Sequence, residues 1–118
     1  MAKHHLLAFT NPTAGREAEF NRWYDEQHVP DLLAVPGFVS AQRFAVTDAT
    51  GQGEPGWTYL ALYELDTDDP DALMAEVRSR LGTAAMPVSD ALDHVTTTPK
   101  GLIATALTSR LLAKRPTP

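Results

Sequence analysis

The sequence predicts an α+β fold, a four-stranded antiparallel sheet with two helices on one face, in the order β-α-β-β-α-β. Three observations predict it. Four short runs rich in β-formers lie at residues 4–10, 38–47, 57–65 and 101–109. Two segments of helical period separate the first run from the second and the third from the fourth. The middle two runs are joined by DATGQGEPG, a loop too short and too rich in glycine for a helix. With 118 residues the chain fits one domain, expected to occupy 1–112, with a disordered tail over 113–118.

The first run, HHLLAFT, is apolar, brief and closed by NPTAG, whose Asn11, Pro12 and Gly15 suit a turn. A helix is expected over about 14–28, because Phe20, Trp23, Tyr24 and Gln27 share one face while Arg22 and Glu26 lie opposite. Pro30 is expected to end it, and PDLLAV to begin a second turn with Pro30 at its first position. Gly37 restarts the chain into the second strand. WTYLALYEL, 57–65, is the clearest strand, with aromatics at 57, 59 and 63. DTDDPDALMAEVRSRL, 66–81, reads as the second helix: Asp68 or Asp69 caps it, Pro70 opens it and Gly82 ends it. MPVSDALDHV, 86–95, is expected to form a short helix capped by Ser89, TTTPKG a turn, and GLIATALTS the last strand.

Both faces of this sheet read as apolar. Leu6 and Ala8 alternate with Leu7 and Phe9, and Trp57, Tyr59, Ala61 and Tyr63 with Leu60 and Leu62. Helices cover one face, so the other requires a partner, and a second copy related by a two-fold axis is the expected one. The competing reading is a monomer whose C-terminal segment folds over the sheet.

Composition narrows the function. The net charge is −5 and no basic run precedes the tail, which argues against nucleic acid or an anionic membrane as partner. There is no cysteine, which removes disulfides, thiolate chemistry and cysteine-based metal sites. No signal peptide or membrane-length apolar run is found, and a cytoplasmic protein is expected. His4 and His5 are adjacent in a strand and point to opposite faces, so they cannot chelate together. No metal or other cofactor is expected, although a single histidine suffices to ligate haem. GQGEPG, 51–56, spells G-x-G-x-x-G, but a strand follows it where a dinucleotide site needs a helix.

WYDEQHVP, 23–30, carries the candidate chemistry. Tyr24 and His28 are four residues apart, so their side chains can meet. A helix C-terminus at His28 favours imidazolium and burial favours neutral imidazole, and a half-buried ring between them is expected to titrate near neutrality. That is where general acid–base catalysis works best. Tyr24 is placed to donate to a substrate oxygen, and Asp31 or Asp25 to orient the ring. The bland reading makes His28 a helix cap and Trp23 and Tyr24 core. Trp57, Tyr59 and Tyr63 form a strand stripe whose default role is core packing but which, with Trp23, could also wall a flat substrate, and Asn11 and Gln42 are candidates for the pocket mouth. Arg43, opposite in parity to Gln42, is expected to pair with a carboxylate; His94 reads as a solvated loop residue.

Residues 9–44, FTNPTAGREAEFNRWYDEQHVPDLLAVPGFVSAQRF, resemble the EthD-type branch of the dimeric α+β barrel superfamily. The matching features are the NP-x-x-G loop, the F-x-x-WY-x-x-x-H-x-P helix and the VPG turn; YLALYEL and MPVSDALD are similar too, and the likeness fades after residue 95. The resemblance implies a ferredoxin-like homodimer whose sheets close into a barrel, and a small-molecule pocket between sheet and helices with His28 and Tyr24 at the motif positions. Several members of the superfamily are small cofactor-free enzymes and others degrade or bind haem; taken with the residues, the first expectation is a cofactor-independent enzyme of cyclase, isomerase or lyase type, acting on a largely apolar carbonyl, enol or phenolic compound. A non-catalytic ligand-binding or assembly dimer and a cofactor-free monooxygenase are the alternatives.

Overall fold

The computed structural model describes residues 4–115. Strand β1 is His4–Thr10 and is followed by helix α1, Glu17–Trp23. A π-helical turn, Tyr24–His28, leads without a break into α2, Val29–Leu33. Strands β2, Phe38–Ala45, and β3, Tyr59–Leu65, come next, then α3, Pro70–Arg80, and β4, Lys100–Thr105. The sheet order is β2-β3-β1-β4 and every pairing is antiparallel. This is the expected ferredoxin-like α+β arrangement.

The first helix differs from expectation at both ends. Ala14 and Gly15 form a turn, with Gly15 at φ +78°, so the helix proper begins at Glu17. Pro30 does not end it. The Val29 N–H donates to the Tyr24 carbonyl five residues back, and the chain stays helical to Leu33. A proline ring collides with the carbonyl four residues before it in a regular helix, and the wider π turn relieves that collision.

Segment 86–95 is not a helix. Met86 accepts from the Gly82 N–H, Thr13 N–H donates to the Ala91 carbonyl, and Asp93 N–H donates to the Asn11 carbonyl. Backbone groups already committed to the loop after β1 cannot serve a helix. Ser89 closes only a small turn, accepting from the Ala91 N–H at 3.1 Å. Asp69 does cap α3, accepting from the Ala72 N–H at 3.0 Å.

β1 has the expected length, and the other three strands are shorter than expected. A bulge between Phe38 and Ser40 starts β2, which ends at Ala45, and Trp57 precedes β3. β4 stops at Thr105, opposite His4 of β1. The tail expected at 113–118 lies outside the described residues from 116 onward.

The core sits between helices and sheet. Tyr63, Phe20, Leu65, Met86 and Val35 are its largest fully buried side chains. Register assigns the faces: Leu6, Ala61, Tyr63 and Leu65 point to the helices, as does Arg43, which pairs with Ala61. The opposite face presents Leu7, Phe9, Leu60, Leu62, Phe44 and Leu102. Trp57 packs on Phe9 at one end of it, and residues 106–115 do not fold over it, being exposed throughout.

Candidate functional site

A cavity of about 300 Å³ opens on the helix side of β1 and β4. Leu6, Ala8, Leu32, Val77, Leu81 and Leu92 make its walls apolar. Hydroxyl and imidazole groups come to it from Thr10 at the end of β1, Tyr63 of β3, and Tyr24 and His28 of the π turn; Trp23 and, from β4, Lys100 also line it. The volume is at the lower end of small-molecule sites.

The polar groups are short of partners. Thr10 Oγ1, His28 Nδ1 and Tyr63 Oη are buried with no hydrogen-bond partner among the described residues. The Tyr24 hydroxyl adjoins those of Thr10 and Tyr63, yet no pair among the three meets hydrogen-bond geometry. A buried donor or acceptor left unpaired costs about 1–3 kcal/mol. Lining a cavity that opens to solvent, these atoms are free to meet complementary atoms of a ligand.

The π turn shapes the histidine's surroundings. In a regular helix residues five apart point about 140° away from each other. The i to i+5 register instead brings Trp23 over His28, stacked at 4.7 Å and 20°. Tyr24 meets the same imidazole edge-on at 5.1 Å. Trp23 is anchored by its indole N–H, 3.4 Å from the Pro87 carbonyl.

Burial pushes the His28 pKa down to about 4, against a weaker upward pull from Asp31. The expectation of titration near neutrality is therefore corrected. Its premise was a helix C-terminus at residue 28, and the helix continues past it, so desolvation has no such opponent. Burial also raises the Tyr24 and Tyr63 pKa values. At neutral pH the cavity thus holds a neutral imidazole and two neutral phenols.

The other expected site residues lie elsewhere. Asp31 accepts from Gln27 Nε2 at 2.7 Å and makes no hydrogen bond to His28. Asp25 pairs with Arg43 at 2.8 Å instead of orienting the ring. Arg43 also donates to Asn21 and lies over the Tyr24 ring at 4.5 Å and the Tyr59 ring at 5.3 Å. Tyr59 belongs to that cluster, packed on Phe20, and does not line the cavity. Gln42 pairs with Leu62 on the opposite face of the sheet, so strand parity takes it away from the cavity. Trp57 packs on Phe9 and donates to the Thr98 carbonyl, outside the cavity. Asn11 is occupied with Gly56, Thr97 and the Thr58 N–H, tying loops together. His94 is exposed, with Nδ1 3.2 Å from the Leu92 carbonyl. Of the aromatic stripe Trp57, Tyr59 and Tyr63, only Tyr63 lines the cavity; Thr10 was not expected there, and its signal was parity, since it alternates in step with Leu6 and Ala8.

Among the described residues no cluster of three or more His, Cys, Asp or Glu could hold a metal ion, and no helix is long and apolar enough to cross a membrane.

Sheet order and helix placement define a ferredoxin-like α+β protein, with a cavity on the helix side of the sheet. No protein-family model and no curated protein matches the chain. Two solved structures do. An EthD family protein from Bacillus halodurans C-125 is 15% identical, with a TM-score of 0.51, over 91% of this chain and 100% of that one. An EthD-like protein from Ralstonia eutropha JMP134 is 14% identical, with a TM-score of 0.54, over 93% and 97%. The chain therefore has the fold of EthD-type proteins, as the resemblance in residues 9–44 implies; at this identity the likeness extends to fold alone.

Proposed function

We propose that the protein is a cofactor-independent enzyme that moves a proton on a small, largely apolar carbonyl, enol or phenolic compound, as in an isomerase, cyclase or lyase, and that it works as a homodimer. The observation that carries this reading is the convergence of Thr10, Tyr24, His28 and Tyr63 on one largely apolar cavity. The neutral His28 ring accepts the proton. The Tyr24, Tyr63 and Thr10 hydroxyls donate to the oxygen on which charge develops. Apolar walls exclude water, so each such hydrogen bond counts for more than it does in solution. The uncovered apolar face of the sheet supports the dimer.

The test is exchange of the α-protons of an enolisable bicyclic ketone such as 2-tetralone in D₂O, followed by NMR. The wild type should accelerate exchange over buffer, and His28→Gln should lose at least about tenfold of that while keeping its far-UV circular dichroism. Exchange at the buffer rate with the wild type would count against catalysis. A second reading, a non-catalytic receptor for the same ligands, is favoured by one observation: with a pKa of about 4 the empty site holds a weak base. Ligand binding without any exchange would select it.

A further inference from the structure

The chain beyond β4 is unlike the rest of the molecule. Residues 106–115 run exposed from the edge of the sheet, with Leu107, Leu111 and Leu112 at 96%, 82% and 77% exposure. All fifteen acids and seven of the ten bases precede residue 106. Arg110, Lys114 and Arg115 follow it with no acid, so a cationic, leucine-bearing arm leaves a body of charge −8. None of these three bases forms an ion pair among the described residues.

The body has what the arm lacks. The uncovered sheet face offers Phe44 and Leu102, 37% and 45% exposed, beside the half-buried Leu7, Phe9, Leu60 and Leu62. Leu65 and Thr105 both pair with His4, so β4 ends where β3 runs into Glu64–Asp71. That stretch carries five acids, Glu64, Asp66, Asp68, Asp69 and Asp71, and no base.

We infer that this arm is an exchange element: in the dimer the C-terminal arm of each copy crosses to the second copy, laying its leucines on the rim of the apolar sheet face and its bases against the acidic run at residues 64–71. The inference rests on the homodimer proposed above. Ten extended residues reach about 33 Å, and a seven-residue strand spans about 23 Å, so the arm is long enough to cross a partner's sheet. Docking at home would leave the leucines covered, and they are not. An anionic membrane is the weaker partner: recognition of that kind takes about 4–8 clustered bases, and the arm has three on a body that such a surface repels. A second copy offers apolar surface and opposite charge together.

The test is the dimer dissociation constant of the full chain by sedimentation, for wild type, for Leu111→Asp/Leu112→Asp and for Arg110→Gln/Lys114→Gln/Arg115→Gln. These positions are exposed and outside the core, so the variants keep the fold, checked by circular dichroism. The leucine variant should dimerise at least about tenfold more weakly, and the charge variant should lose the salt dependence of the wild-type constant. Unchanged constants for both variants would overturn the arm while leaving the dimer standing. A wild type that stays monomeric at every concentration would remove both. Unchanged constants with arm-dependent sedimentation on phosphatidylserine vesicles would reassign the arm to a membrane.

Discussion

His28 should make the folded state lose stability as pH falls from about 6.5 to 4. The ring's ordinary pKa is 6.5 and burial lowers it to about 4. Between those values the unfolded chain binds a proton that the folded chain refuses, so unfolding takes up a proton and acid favours it. Stability from this residue is fully present above the unfolded value and is lost as pH falls toward the folded one. Integrating from pH 7.5 to 4.5 gives a loss of about 2.5 kcal/mol, at about 1.36 kcal/mol per unit of separation. The assay is urea unfolding at those two pH values, at one protein concentration because dimerisation shifts apparent stability. His28→Leu keeps the wall apolar and removes the titration. Carboxylates such as Asp93, whose pKa hydrogen bonds from Thr96 and the Val95 N–H hold below the usual range, are common to both proteins and cancel. The pH-dependent loss should therefore be smaller in the variant by about 2.5 kcal/mol. Equal losses would mean that the ring is solvated in the folded protein, and the account of the cavity would fall with it.

Three further outcomes follow from the same contacts. Tyr63→Phe removes a buried hydroxyl that has no partner, so thermal unfolding should show stability unchanged or raised by about 1 kcal/mol, while titration calorimetry shows weaker binding of a phenol. Arg43→Met breaks the pair with Asp25 and uncovers the Tyr24 and Tyr59 rings; about 1–2 kcal/mol should be lost in urea unfolding, since the guanidinium is mostly buried but its carboxylate is solvated. Gly37→Ala places a methyl group 3.1 Å from Leu73 at φ +109°, a backbone region closed to side chains, and should cost about 2 kcal/mol or more in the melting curve.

The fold was legible because hydrophobic period and turn chemistry agree along most of the chain. Asp69, Pro70 and the acids after it mark α3 at its start, and GQGEPG can only join strands in this setting. Much less of the site was legible. The spacing of Tyr24 and His28 places both on one flank, and both reach the cavity. Regular helical geometry, however, gives no account of Trp23 stacking on His28; that needs the π register, for which the sequence holds only Pro30 inside a continuing apolar pattern. Gln42 was misplaced although its parity with Leu62 and Phe44 assigns it to the uncovered face, because either face could have held the pocket. Segment 86–95 has the composition of a helix and is instead tied, through a turn at Ser89 and Asp90, to residues 11–13, a tertiary pairing that no local signal announces.

The depressed basicity of His28 restricts the chemistry the cavity can support. An isolated imidazole with a pKa of about 4 is a poor base toward a ketone α-proton. Proton transfer inside the cavity, however, creates an imidazolium and an enolate or phenolate together. Opposite charges about 4 Å apart attract by about 4 kcal/mol at an effective dielectric constant of 20. That corresponds to about three pKa units, the size of the depression that burial imposes. The ring is thus a weak base in the empty site and an adequate one only beside the anion it generates. A substrate whose negative charge develops far from residue 28 gains nothing from it. Under the proposed function, the substrates expected are compounds whose acidic proton lies within one bond or two of an oxygen that Tyr24, Tyr63 and Thr10 can reach.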